Sequence, residues 1–286
     1  MTDTTRPMNR PALDASPFPP DQCQALFDAV LIDDEVDDDA RLPAAIRFDY
    51  AQDELAACFR ICRQLWYSGF DRDRLVGLVA KLVRDRDLED ADRLRFKHMR
   101  AKFKHFRYAH ALYGEAHAYP ALLNRITVTM GKLQDAYRNG RRGTVLREAA
   151  ILRLLLTRLP LGGLYREADR IMLTTGAAFR KLLEKDVRSL AMIVADDTVT
   201  GHQFHVTRKV VGRQVSFWDT LRTIAPTPDR YDMSRSLSAI NGLMGDLHDV
   251  LVERRALDRA SYGQSFVLPA EIRGRIEALL TIYPGQ

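Results

Sequence analysis

From about Ile46 onward, apolar residues recur at the three- and four-residue spacings of an amphipathic helix, and no stretch alternates apolar and polar residues as a half-buried strand would. The pattern, broken by glycine and proline, predicts helices over about 50–68, 73–85, 89–113, 118–139, 144–158, 163–184, 186–197, 203–223, 231–259 and 269–282. Asp73 and Asp186 read as N-caps, because a side-chain oxygen there can accept a free first-turn N–H. Asn241-Gly242 falls inside the helix predicted over 231–259. Its neighbours Leu237, Ile240, Leu243, Met244 and Leu247 keep the helical period, so the helix is carried through at a cost of about 1 kcal/mol for the glycine. Residues 1–45 read as a flexible tail. Pro7, Pro11, Pro17, Pro19 and Pro20 stiffen its start, 21–31 has the makings of a short helix, and 33–39 (DDEVDDD) is an acidic run.

Residues 96–114 (FKHMRAKFKHFRYAHALYG) hold Lys97, His98, Arg100, Lys102, Lys104, His105, Arg107 and His110 with no acidic residue. At about 100° per residue, Lys97, Arg100, Lys104, Arg107 and Tyr108 share one stripe, and Met99, Phe103, Phe106 and Tyr113 lie on another. A solvated helix face usually mixes signs to limit self-repulsion and gain i,i+4 pairs. A face of one sign points to an anionic partner.

The chain carries an internal repeat. Residues 130–135 (MGKLQD) match 244–249 (MGDLHD), and 73–83 resembles 186–196, at offsets of 114 and 113. A basic helix lies between the anchors each time: 96–114 first, then 204–221, in which His205, Arg208, Lys209 and Arg213 fall within about 140° of arc. A duplicated unit of about four helices is the economical reading. It predicts an all-α protein of two pseudo-symmetric four-helix bundles with a basic groove between them. The predicted division is 1–45 tail, 46–142 first bundle, 143–260 second bundle, and 261–286 a loop and short amphipathic helix packed on the second.

Charge sharpens this picture. The net charge of +5 is the sum of about −8 over residues 1–60 and about +13 over the rest. A basic body with an acidic leader suits a polyanion. Cys23, Cys58 and Cys62 are too few and too oddly spaced for a disulfide framework, and read as core residues. No apolar run approaches the ~18 residues of a membrane span and the start lacks a secretory h-region, so a cytoplasmic protein with no membrane partner is expected.

A basic helix opening with His, with Arg three residues on and Lys or Arg at seven to eleven, resembles the CHAD family (conserved histidine α-helical domain). Residues 104–108 (KHFRY) look like that family's Lys-Arg-Leu-Arg-Tyr segment, and 130–135 and 244–249 look like its Leu-Gly-x-x-x-Asp segment. The resemblance covers about residues 50–260. It implies two bundles about a pseudo-twofold and a basic surface that binds inorganic polyphosphate, in a binding module with no catalytic residues, metal or cofactor. It implies localisation in the cytoplasm, with polyphosphate granules. The family's His and Arg fall on His205 and Arg208, and in the first half on Arg100 with either Lys97 or His98. The later cations fall on Lys104, Arg107 and Arg213. Together with His105 and Lys209 these make up the expected polyanion-binding set. Asp135 and Asp249 are expected to pair, buried or at an interface, with Arg or His of the neighbouring basic helix. The first-half histidine is out of register by one, and Gly212 stands where a cation is expected.

Two other readings belong beside this one. His248-Asp249 with upstream His205 has the look of a metal-dependent HD phosphohydrolase, but the first repeat has Gln134-Asp135 there, and Asp258 lies too close to serve as that family's last ligand. Nucleic acid could follow the same cations. Against it, Phe103, Phe106 and Trp218 sit on the apolar face and not beside the charges, as base stacking needs.

Overall fold

The computed structural model describes residues 16–257 and 263–283. They form eleven helices: α1 (Pro20–Leu31), α2 (Gln52–Gly69), α3 (Arg72–Asp85), α4 (Asp90–Tyr113), α5 (Ala121–Arg138), α6 (Arg142–Leu155), α7 (Arg158–Asp169), α8 (Gly176–Ala195), α9 (Gly201–Ile224), α10 (Pro228–Leu257) and α11 (Ala270–Thr281). The chain is thus all-α. The exceptions among the described residues are a two-residue antiparallel pair, β1 (Val199–Thr200) with β2 (Ser265–Phe266), and a single bridge between Gly114 and Leu173. No helix among the described residues is long and apolar enough to cross a membrane.

Two compact units share the chain, one made of Met1–Cys23 and Phe59–Thr174, the other of Gln24–Cys58 and Thr175–Gln286. The boundary after Thr174 corrects the one expected at 142/143. The reason is α6, whose apolar face (Val145, Ala149, Leu152) is buried against α3 and α5 of the first unit and does not open the second. The helix expected over 163–184 is in fact α7, a break, and the start of α8. Thr175 caps α8 by accepting the Ala178 N–H at 3.2 Å. Asp186 therefore sits inside α8 and is no N-cap, and the cap of α3 is Asp71, which accepts the Arg74 N–H at 2.9 Å.

In the first unit, α3, α4, α5 and α6 close a ring in which each packs on two others, and α7 lies on α5 and α6. Leu75, Leu78, Val79 and Leu82 give α3 its buried face. Trp66 is fully buried, stacked on Phe106 with centroids 4.8 Å apart and edge-on to Phe103. Side chains of this size each contribute roughly 1.5–3 kcal/mol by leaving water. Phe18 ties the residues before α1 to this unit through paired 2.8 Å hydrogen bonds with Gln64.

In the second unit, α8, α9, α10 and α11 close a similar ring. Thr200 and Gln203 form a capping box at the start of α9, so two otherwise orphaned groups satisfy each other. Tyr50, Phe179 and Phe217 meet edge-on or tilted in its core, and Ile272, Ile276, Leu279 and Leu280 seat α11 on α8 and α10.

The described part of residues 1–45 is not a flexible tail. Leu26, Phe27, Ala29 and Val30 of α1 are buried, and the acidic run lies as a strap along α10. Ser238 donates to the Ile32 carbonyl, Asn241 to that of Asp33 at 2.7 Å, and Ser236 to that of Arg41 at 2.6 Å. A β-carbon on Gly242 would stand 2.3 Å from the Asp34 carbonyl oxygen, so glycine is required there for the strap to approach. The Asn-Gly pair inside α10 is explained by these contacts.

Candidate functional site

Helix α4 carries Lys97, Arg100, Lys104 and Arg107 on one flank and Arg95 and Lys102 on another. Phe96, Met99 and Phe103 are buried, Lys97 is exposed, and Arg100, Lys104 and Arg107 are half-buried. From His105 to Tyr113 nearly every position is enclosed. Two helix positions follow from this. Lys97 shares the stripe of Arg100, while His98 lies on another flank near Lys102, where burial and the two neighbouring lysines lower its pKa. His105 does not belong to the polyanion face. It is 3% exposed, 3.3 Å from Cys62 Sγ, and burial together with Lys104 pushes its pKa down to about 3.

Arg100 crosses to α5. Its Nη1 is 3.4 Å from Gln134 Oε1, and it lies over Gly131, where a β-carbon would be 3.3 Å from Nη2. Arg107 donates to Asn124 Oδ1 at 3.2 Å and covers the Tyr119 ring at 4.7 Å, which keeps its guanidinium extended over α5.

The second unit repeats the central element. Arg208 of α9 lies over Gly245 of α10, where a β-carbon would be 3.2 Å from Nη2. Three residues beyond each glycine stands a side chain facing the basic helix: Gln134 toward Arg100, and His248 stacked on His205 with centroids 5.2 Å apart. Lys209 is exposed beside them. Burial, Lys209, His248, Arg208 and His202 lower the His205 pKa to about 4, so this ring is neutral near pH 7.

Two further expectations are corrected. Arg213 is not an open cation, because its Nη2 and Nε both engage Asp186, a carboxylate only 2% exposed to which Gln214 also donates at 2.9 Å. Asp135 and Asp249 are exposed; they do not brace the cations from beneath, and the inward-facing members of the repeated motif are their neighbours Gln134 and His248. A helix turns 100° per residue, so the carboxylate is carried outward once the preceding side chain points in.

Many arginines of the chain are ion-paired, among them Arg63, Arg93, Arg180, Arg213, Arg222 and Arg235. Among the described residues, Lys97, Arg100, Arg107, Arg208 and Lys209 have no carboxylate within 4 Å. Nor do three or more His, Cys, Asp or Glu side chains gather there as a metal-binding set. The glycine seats are not legible in the sequence, although Met-Gly-x-Leu-x-Asp occurs twice, because only tertiary contact shows what lies over a glycine. No family model, curated protein or solved structure matches this chain.

Proposed function

We propose that this protein binds inorganic polyphosphate non-catalytically, through one unneutralised cation face in each of two duplicated helical units. The reading rests on the resemblance of the sequence motifs to the CHAD family. Both units contain a closed ring of four helices, with α3 to α6 corresponding to α8 to α11, and in both the second helix is 24 residues long and basic. The observation that carries the reading is the recurrence of one contact: Arg100 over Gly131 and Arg208 over Gly245. A glycine leaves room for a guanidinium to lie against the helix, and the planar donor group of arginine suits two oxygens of a phosphate chain. Lys97 and Arg107 extend the first face, with Lys104 beside them on the same stripe, and Lys209 and His205 extend the second.

Binding of this kind is multivalent and falls steeply with salt, since each neutralised phosphate releases counterions, by analogy with nucleic acids. The test is titration of the full chain with long-chain polyphosphate and with single-stranded RNA at about 150 mM salt, where loose electrostatics are screened. Polyphosphate should bind and RNA should not, and the Arg100→Glu/Arg208→Glu double variant should lose most of the affinity. Unchanged affinity in that variant would remove the reading.

A further inference from the structure

We infer that the acidic strap of residues 33–39 is a built-in competitor for the second unit's cations, displaced when a phosphate polyanion binds; this rests on the function proposed above. The strap carries six acidic residues in seven and is held largely by polar contacts. Arg235, 6% exposed, donates to the Ile32 carbonyl at 3.3 Å and to Glu35 Oε2 at 3.1 Å. Arg275 donates to the Asp37 carbonyl at 3.3 Å and to Asp38 Oδ1 at 3.2 Å. These two cations are thus covered by carboxylates from the same chain.

The strap also ends beside the candidate site. Gly242 receives the Asp34 backbone, and Gly245 receives the Arg208 guanidinium. The two glycines are three residues apart on α10, about 4.5 Å along its axis and on neighbouring flanks. The negative run therefore lies about one helical turn from Arg208, with Asp34 and Asp39 exposed and outside any ion pair. Few apolar anchors hold it: Val36 is 40% exposed, and the serine, asparagine and arginine donors beneath it are groups that water or phosphate oxygens satisfy equally well. A polyanion at Arg208 repels the strap and offers Arg235 and Arg275 replacement partners. Release would add both to the binding face.

The experiment uses the full chain and long-chain polyphosphate. One variant, Asp34→Asn/Glu35→Gln/Asp37→Asn/Asp38→Asn, removes strap charge while keeping its carbonyl acceptors. A second, Gly242→Ala, removes the seat. Hydrogen exchange is followed over 30–42, with polyphosphate affinity at about 50 mM and about 500 mM salt. The expected result is faster exchange over 30–42 on adding polyphosphate to the wild type. The charge variant should bind several-fold tighter at low salt, with the gap closing at high salt, and Gly242→Ala should exchange fast without ligand. If wild type and charge variant bind equally and the exchange does not change, the strap inference falls and the polyphosphate reading stands. If neither binds, the polyphosphate reading falls and takes the inference with it.

Discussion

His205 on α9 and His248 on α10 stack with their rings 26° from parallel, and the Nδ1 of His205 is buried without a hydrogen-bond partner. Surrounded by Lys209, Arg208 and His202, the His205 ring is held neutral until the pH falls to about 4. A bound polyanion reverses that field and raises the pKa. Between about pH 6.5 and 4 binding should then take up a proton, so affinity should rise as the pH falls through this window. Affinity measured from pH 7.5 to 5 should steepen for the wild type and lie flatter for His205→Gln.

Gly131 and Gly245 should tolerate no side chain without moving an arginine. Gly245→Ala places a β-carbon 3.2 Å from Arg208 Nη2, and Gly131→Ala places one 3.3 Å from Arg100 Nη2. The guanidinium has to give by a few tenths of an ångström. Because alanine favours the helix by about 1 kcal/mol, the melting temperature should hold or rise while polyphosphate affinity falls. Calorimetry and titration of both single variants separate the two effects.

Arg213 and Lys209 lie four residues apart on α9 and should behave oppositely. Removing Arg213 leaves buried Asp186 short of its main partner, and breaking such a pair costs about 3–5 kcal/mol. Lys209→Ala, at an exposed position, should change stability by no more than about 0.5 kcal/mol and act on binding alone. Denaturant unfolding beside titration tests the contrast.

Asp219 is buried, accepts the Ser234 hydroxyl at 2.6 Å, and leaves its Oδ2 without a hydrogen bond. Burial raises its pKa to about 7. The raised value means that the folded state holds the proton more tightly than the unfolded chain, whose carboxyl titrates near 3.9. Its contribution is present below that value and is lost as the pH rises through about 7. Asp219→Asn keeps the oxygen facing Ser234 and should stabilise the protein at pH 8 by on the order of 1 kcal/mol, with no gain at pH 4, as melting curves at the two pH values would show.

His105 and His110 should make the first unit sensitive to acid. Both are buried, with pKa values lowered to about 3 and about 4. The unfolded chain takes up protons on both below about pH 6.5 while the folded unit refuses them, so stability should fall as the pH drops from about 6.5 toward 4. His105→Gln should shift the acid midpoint downward.

Much of the helical framework was legible from periodicity. The bounds of α2 to α6 and α9 to α11 lie close to those expected, because a buried face repeats every three to four residues whatever covers it. The stripe of Lys97, Arg100, Lys104 and Arg107 follows from the same geometry. Periodicity could not separate His105 from that set, since the second half of α4 is enclosed on nearly all sides and a helix buried all round has no solvent face to reveal.

The rest depended on what each side chain meets across the fold. Arg213 and Arg208 look alike in the chain, but α8 brings the Asp186 carboxylate to the first and α10 brings Gly245 to the second. The acidic run had the composition of a solvated tail, and became a strap because α10 offers it donors and a glycine seat. Sequence by itself determined most of the helices and the sign of their charge. Tertiary structure decided which charges are neutralised, because an ion pair needs a partner within about 4 Å and proximity between distant segments has no period in the chain.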